Sequence, residues 1–338
     1  MSESINIALD AMGGDNAPEE IIKGAISALD ASPEIRLFLC GREDDIRAEL
    51  SRYSYDPARI EVVHASEVIG MDEPPVMAVR NKKDSSLVKC MYLVKEGKCD
   101  ALVTAGSTGA FLVGGQIIVG RIKGVERPPL APFIPTATGK ALLLDCGANV
   151  DARPSQLVQF AKIGSAYVKK VCGIPNPRVG IVNIGAEEEK GNALVKETFP
   201  LLKATPEINF IGSVEARDIP YGAADVIVCE AFVGNVILKM YEGVGTVLLK
   251  SIKNAFMSSG RSKIGALLAK PALKKTLKQY DTDQYGGAPL LGCNGLLVKT
   301  HGSSKAVSIN NSILQCKTFI ENNINDDMRE MFSVSMDI

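Results

Sequence analysis

The sequence predicts an α/β fold built around a mostly parallel sheet. Short apolar runs of strand length alternate with helix-length amphipathic runs almost throughout, and the strand candidates run straight into turns of Gly and other small residues. Hydrophobic residues make up 46% of the 338 and charged residues 23%, enough apolar material for a sizeable core.

The first strand is 4–10 (SINIALD), followed by a helix over 17–30. Strands at 35–40 (IRLFLC) and 60–64 (IEVVH) come next, then a helix over 84–97, a strand at 100–104 (DALVT) and a helix over 108–120. The Pro-rich stretch 127–135 (RPPLAPFIP) is the clearest interruption, marking either an inter-domain crossing or a hairpin insertion. Beyond it the alternation resumes: strand 141–145 (ALLLD), helix 154–171, strand 178–184 (RVGIVNI), helix 190–203, strands 208–212 (INFIG) and 225–229 (DVIVC), helix 233–257, strand 295–300 (GLLVKT) and helix 303–323. The strands are continuous apolar runs, as when helices cover both faces of a parallel sheet. No internal repeat divides the chain, so residues 1–338 read as a single domain.

Charge and cysteine usage narrow the function. Thirty-eight Lys and Arg against 39 Asp and Glu leave a net charge of −1, so no global field draws the chain to nucleic acid or membrane. No apolar run has the roughly 18 residues needed to span a bilayer, and the N-terminus has no basic segment followed by a cleavable apolar stretch, so a cytoplasmic protein is expected. None of the eight cysteines forms a CxxC pair, and several lie in apolar runs, which predicts buried reduced thiols. Two histidines, His64 and His301, are too few for a His-rich metal centre.

The strand ends carry the functional signal. Asp10 leads into AMGGDNAP, Thr104 into AGSTGAF, Asp145 into CGANV, Ile184 into GAEEEKGN, Cys229 into EAFVGN and Thr300 into HGSSKA. In one open parallel sheet these ends would share an edge, with ligands in the crevice outside it. Glycine allows close backbone approach and each helix start offers free N–H donors, so the edge reads as an anion site, most economically for phosphate. Both standard nucleotide fingerprints are missing: 105–115 (AGSTGAFLVGG) is not GxGxxG, and Gly139-Lys140 lacks the first glycine and the hydroxyl of a Walker sequence.

Other segments admit two readings. Arg80, Lys82, Lys83, Ser85 and Ser86 in 72–86 either clamp a phosphate at a helix start or form a solvated loop with an ordinary cap. In 185–192, Lys190 and Asn192 either face the crevice or belong to a solvated helix entry. His301 is either an anion donor or a structural strand-end residue. Residues 243–280 contain eight basic residues and no acid, with Val244, Val247, Leu248, Ile252 and Phe256 at helical spacing, then Ile264, Leu267 and Leu268, and Leu273 and Leu277 after a break at Pro271. This is a basic amphipathic helical pair, suited to an acidic protein or anionic lipid, or otherwise a surface hairpin with basic outer faces.

Taken in order, DAMGGD (10–15), DALVTAGSTGA (100–110), RPPLAP (127–132), LLLDCGANVDARP (142–154), PRVGIVNIGAEEEKGN (177–192), FIGSVEARDIP (210–220), CEAFVGNVILK (229–239), YGGAPLLG (285–292) and HGSS (301–304) resemble the bacterial acyl-[acyl-carrier-protein]:phosphate acyltransferase family, over roughly residues 5–320. The family commonly has His where this chain has Asn16, and Asn where it has Ser107. The resemblance implies a three-layer α/β/α fold similar to isocitrate and isopropylmalate dehydrogenases and to phosphate acetyltransferases, with residues 243–280 as a protruding basic helical pair. It further implies conversion of acyl-[acyl-carrier-protein] and inorganic phosphate to acyl phosphate for phospholipid synthesis, by a homodimer peripherally associated with the membrane and possessing neither cofactor nor metal. The downstream glycerol-phosphate acyltransferase is an implied partner.

On that resemblance Asp10, Gly13, Gly14, Asp15, Gly106, Ser107, Thr108, Gly109, Arg80, Lys83, Asn192, Gly302, Ser303 and Ser304 are expected to bind substrate. Lys190 would offset the phosphate charge, with Asn149, Asn235 or His301 donating to the thioester oxygen. Lys263, Leu267, Leu268, Lys270, Leu273, Lys274 and Lys275 would meet membrane or carrier protein. The rival functions are a phosphate acetyltransferase-like enzyme using acyl-CoA and a non-catalytic membrane scaffold.

Overall fold

The structure, a computed structural model, describes residues 4–278, 280 and 282–333, without the side chains of residues 275, 278, 282 and 283. Its strands in chain order are β1 (Ile5–Asp10), β2 (Ile35–Gly41), β3 (Ile60–His64), β4 (Ala101–Thr104), β5 (Phe133–Thr136), β6 (Gly139–Leu144), β7 (Arg178–Asn183), β8 (Asn209–Glu215), β9 (Val226–Val228), β10 (Ala288–Pro289) and β11 (Leu296–Lys299). The helices are α1 (Glu19–Ala31), α2 (Glu43–Leu50), α3 (Pro75–Asn81), α4 (Ser86–Lys95), α5 (Thr108–Gly114), α6 (Pro154–Cys172), α7 (Ala193–Lys203), α8 (Ala231–Met257), α9 (Gly260–Lys278), α10 (Ala306–Glu321) and α11 (Ile324–Ser333).

The chain divides into two compact units. The first takes the chain up to Pro132, Ala166–Pro175 and the chain from Asp283 onward; the second takes Phe133–Ser165 and Asn176–Thr282. In the first unit the strand order is β10-β11-β4-β1-β2-β3, parallel except for the β10/β11 pair. Ile7, Leu9, Leu37, Leu39, Leu102 and Val103 are fully buried within it. The second unit orders its strands β5-β6-β9-β7-β8, parallel except for the β5/β6 hairpin, with a core that includes Ile134, Leu143, Val214, Ile227 and Cys229. Phe133 thus starts both the second unit and that hairpin.

Three expectations change. The six strand-end turns do not share one sheet edge: those after β1, β4 and β11 belong to the first sheet and those after β6, β7 and β9 to the second. Sheet membership is set by pairing order, which the pattern of apolar runs does not contain. Pro271 does not break the second basic helix, since α9 runs through it. The carbonyl that its missing N–H leaves unmatched is that of Leu267, a residue exposed to water. The helix expected over 108–120 is α at 108–114 and π over Gly115–Val119.

Among the described residues all eight cysteines are free, and all but Cys172 are buried. Burial pushes the thiols of Cys90, Cys146 and Cys229 well above their ordinary values.

Candidate active site

In the first unit β11, β4 and β1 lie side by side, and the chain leaves the end of each into a Gly-containing turn. Asp10 closes β1 and is buried. Its Oδ2 accepts from the Thr104 hydroxyl at 2.7 Å and its Oδ1 from the Met12 amide at 3.3 Å, and Ser86 at the start of α4 also favours its charged form. Thr104 Oγ1 in turn accepts from the Gly106 amide at 2.9 Å. Burial outweighs these bonds and raises the Asp10 carboxyl above its ordinary value.

The turns close on one another through their backbones. A Cβ on Gly13 would lie 2.5 Å from Asp10 Oδ2 and 2.7 Å from the Gly106 amide nitrogen, so only glycine fits there. Gly14, at φ 94°, would meet the Gly302 carbonyl at 2.8 Å. The Asp15 amide donates to that carbonyl at 2.8 Å, and Asn16 Nδ2 donates to the Ser303 and Ser304 carbonyls at 3.0 and 3.2 Å. Buried Ser107 caps α5, its Oγ accepting from the Ala110 amide, while Thr108 beside it is exposed. Asp10, Gly13, Gly14, Asp15, Gly106, Ser107, Gly302, Ser303 and Ser304 are therefore parts of one cluster. His301 lies in it too, exposed, its Nδ1 at 2.8 Å from Ser303 Oγ.

The 72–86 segment contributes differently from expectation. Gly109 packs against Pro75, where a Cβ would come within 2.4 Å, so α3 starts against the start of α5. Arg80, on α3, and Lys83 just beyond it are exposed. Lys82 is instead tied down, 2.6 Å from Glu73 and donating to the Val68 carbonyl. Ser85 and Ser86 are buried at the start of α4 rather than displayed on a loop.

A residue that the sequence reading passes over joins this cluster. Lys299, the last residue of β11, is only 6% exposed. Desolvation brings its ammonium down to about 8, against the opposing pull of Asp10 and Asp15. The available signal was a lysine closing an otherwise apolar run, LLVK.

In the second unit Asp145 follows β6 fully buried and accepts from the amides of Gly147, Ala148 and Asn149 and from Asn149 Nδ2, the last two at 2.7 Å each. The side-chain amide of Asn149 is thus held by Asp145. Lys190 is about half exposed with its Nζ 2.7 Å from Glu187, which raises the ammonium above its ordinary value. The Asn183 side chain donates to the Lys190 carbonyl at 3.2 Å and fixes that turn to the end of β7. Asn192 caps α7 by accepting from the Val195 amide at 2.9 Å, the solvated-entry reading of this residue. Glu230 caps α8 through the Phe232 and Val233 amides, and Asn235, half-buried, sits one turn on.

Beyond Asn235, α8 and α9 carry most of the exposed apolar surface of the second unit. Ile264, Leu267 and Leu268 are 64%, 70% and 78% exposed, while Leu273 is half-buried and Lys263, Lys270 and Lys274 are exposed. The Lys275 side chain lies outside the described residues. By length and composition α8 is apolar enough to cross a membrane, although Lys239 and Glu242 interrupt it, so no continuous apolar run marks it in the sequence.

The first-unit cluster joins glycine-lined backbone, hydroxyls, a helix start and a buried ammonium in one place, a donor set suited to an oxyanion. Among the described residues no three His, Cys, Asp or Glu side chains group as metal ligands.

Residues 5–327 match the family described as "Fatty acid synthesis protein". The chain is 52% identical over 330 residues to a phosphate acyltransferase of Clostridium beijerinckii, covering 97% of this chain and 99% of that one. It is 50% identical over 329 residues to a phosphate acyltransferase of Clostridium botulinum, with the same coverage. Among solved structures a phosphotransacetylase from Streptococcus pyogenes superposes with a TM-score of 0.62 at 17% identity, covering 95% of each chain, which is a likeness of fold.

Proposed function

The chain belongs to the fatty acid synthesis protein family and is an acyltransferase of phospholipid synthesis, and from that premise we propose how it works: inorganic phosphate displaces the thiol of an acyl-carrier-protein thioester. A phosphate oxygen attacks the carbonyl carbon, the C–O bond forms, the C–S bond breaks, and acyl phosphate leaves with the carrier thiolate as co-product. The chemistry asks for little proton transfer, because phosphate is already anionic at neutral pH and a thiol of pKa about 8.5 is a tolerable leaving group. What the protein must supply is a dry seat for phosphate and donors for the developing oxyanion.

The observation that carries this reading is the closure of the turns after β1, β4 and β11 around Asp10, with Gly13 too close to Asp10 and Gly106 to admit a side chain. Gly14, Ser107, Thr108 and Gly302 would hold phosphate with backbone and hydroxyl donors, close to the backbone of Gly13 and Gly106, whose amides bond within the cluster. Lys190 would offset charge in the reaction. Of the donors proposed for the thioester oxygen, Asn235 and His301 are favoured over Asn149, whose amide Asp145 holds. The α8–α9 pair would rest on anionic lipid with Ile264, Leu267 and Leu268 inserted and its lysines among the headgroups. The protein would act as a homodimer in the cytoplasm, delivering product to a membrane acyltransferase.

The test is a turnover assay with purified protein and acyl-carrier-protein or acyl-CoA, with and without phosphate. Phosphate-dependent loss of thioester is expected with the carrier-protein substrate. Equal or faster turnover of acyl-CoA would reassign the acyl donor, and no phosphate-dependent thioester loss with either would leave the scaffold reading.

A further inference from the structure

The register of the first sheet aligns a row of side chains that the proposed mechanism has not used. Lys299 on β11 pairs with Thr104 on β4, and Asp10 on β1 follows the Leu9–Val103 pair, so Lys299, Thr104 and Asp10 stand in line across three adjacent strands. In-register side chains of parallel neighbours point to one face, here the face where Ser86 of α4 reaches Asp10. Each member of the row closes its strand, directly beneath a turn of the cluster.

Within that row Lys299 is the anomaly. Thr104 and Asp10 satisfy each other, whereas among the described residues the Lys299 ammonium donates to the neighbouring Thr300 carbonyl alone and has no carboxylate within ion-pair distance. A buried ammonium without an ion-pair partner is expensive unless something supplies negative charge. The charged groups it feels are Asp10 on β1 and Asp15 in the turn after it, both beyond direct contact. The Asp15 backbone is spent on Gly302.

We propose that Lys299 is a phosphate-binding residue of the acyl transfer, its buried ammonium completing the seat formed by the turns after β1, β4 and β11 and taking the charge of the inorganic phosphate. This rests on the reading of those turns as the phosphate site. The amine must be protonated to serve, so phosphate recognition weakens as pH rises past about 8, the value to which burial holds it.

Steady-state kinetics of the full-length protein test this. For wild type, the phosphate KM is expected to rise above pH 8, where phosphate itself stays dianionic, approaching tenfold per pH unit, while the KM for the acyl donor holds. Lys299→Met should raise the phosphate KM at pH 7.5 by tenfold or more and abolish the alkaline limb, and Lys299→Arg should recover part of the loss. A wild-type phosphate KM that is level from pH 7.5 to 9.5 overturns the proposal without any variant. So does a folded Lys299→Met enzyme with unchanged phosphate KM, whether or not its melting temperature falls. Gly13→Ala separates the underlying reading: if it folds and leaves the phosphate KM unchanged, the turns are not the phosphate seat and both readings fall. A Gly13→Ala effect with none at Lys299 sinks the lysine alone.

Discussion

Thr104 donates its hydroxyl to Asp10 across two adjacent strands at 2.7 Å while accepting from the Gly106 amide, so one side chain ties a buried carboxylate to the turn above it. Thr104→Val keeps the shape and removes both bonds. The Asp10 oxygen and the Gly106 N–H are then left short of a partner in a dry place, which costs about 1–3 kcal/mol per unsatisfied group. Chemical denaturation should show that loss, accompanied by a raised phosphate KM. An unchanged midpoint and KM would mean that the turn does not depend on this link.

Glycine substitutions should divide by what faces the missing Cβ. Gly13→Ala places a methyl 2.5 Å from Asp10 Oδ2, and Gly234→Ala places one 1.9 Å from the Asp145 carbonyl oxygen, so in both a backbone or buried group must move. Gly243→Ala, on the exposed part of α8, meets nothing within 4 Å. The first two should lower stability by several kcal/mol or prevent folding, while the third should raise it by about 0.5–1 kcal/mol through helix propensity. Thermal unfolding of the three variants checks the ordering.

These positions mark the boundary of what the sequence contains. Strands β1–β4, β6–β9 and β11 were legible because each is a short, mostly apolar run, and the cluster turns because Gly and Ser crowd behind those runs, whereas β5 overlaps the Pro-rich stretch and was not. Helix α11 was legible in principle, since Ile324, Met328 and Phe332 recur at i, i+4 and i+8 and are all buried. By contrast α2 buries only Ile46 and Leu50, too few to show a period, and β10 has two residues. Lys299 was hidden for a different reason. A lysine ending a strand reads as surface charge until strand order sets β11 beside β4 and places it in line with Thr104 and Asp10.

Lys190→Met tests the second unit. A charge-assisted contact to substrate contributes about 1.5–3 kcal/mol, so its loss should raise the phosphate KM or lower kcat by about tenfold or more. The variant should fold normally, because the lysine is about half exposed and its partner Glu187 remains solvated. Wild-type kinetics in both parameters would remove Lys190 from the reaction.

Burial of Lys299 also predicts a stability change with pH. Its pKa of about 8 in the folded chain lies below its ordinary value, so between the two the unfolded chain binds the proton that the folded chain has shed. Stability from this group therefore rises with pH over that window and is reduced below it. Lys299→Met should remove that rise and leave the protein at neutral pH as stable as wild type or more so, by up to a few kcal/mol, while phosphate recognition is lost. Urea unfolding at pH 7 and pH 10 measures both slopes. A Met variant much less stable at pH 7 would show that the ammonium holds the fold rather than the ligand.

The exposed face of α9 separates lipid from carrier protein. Leu267 is 70% exposed and flanked by Lys263 and Lys270, so Glu at 267 would put a charge where an acyl layer is proposed and would weaken the attraction to anionic headgroups. Leu267→Glu should therefore abolish flotation with vesicles containing phosphatidylglycerol while leaving turnover of soluble acyl-carrier-protein within about twofold, a difference of less than 1 kcal/mol. Retained flotation would remove this face from the membrane. Lost turnover in solution would assign it to the carrier protein, whose acidic surface the same lysines would meet.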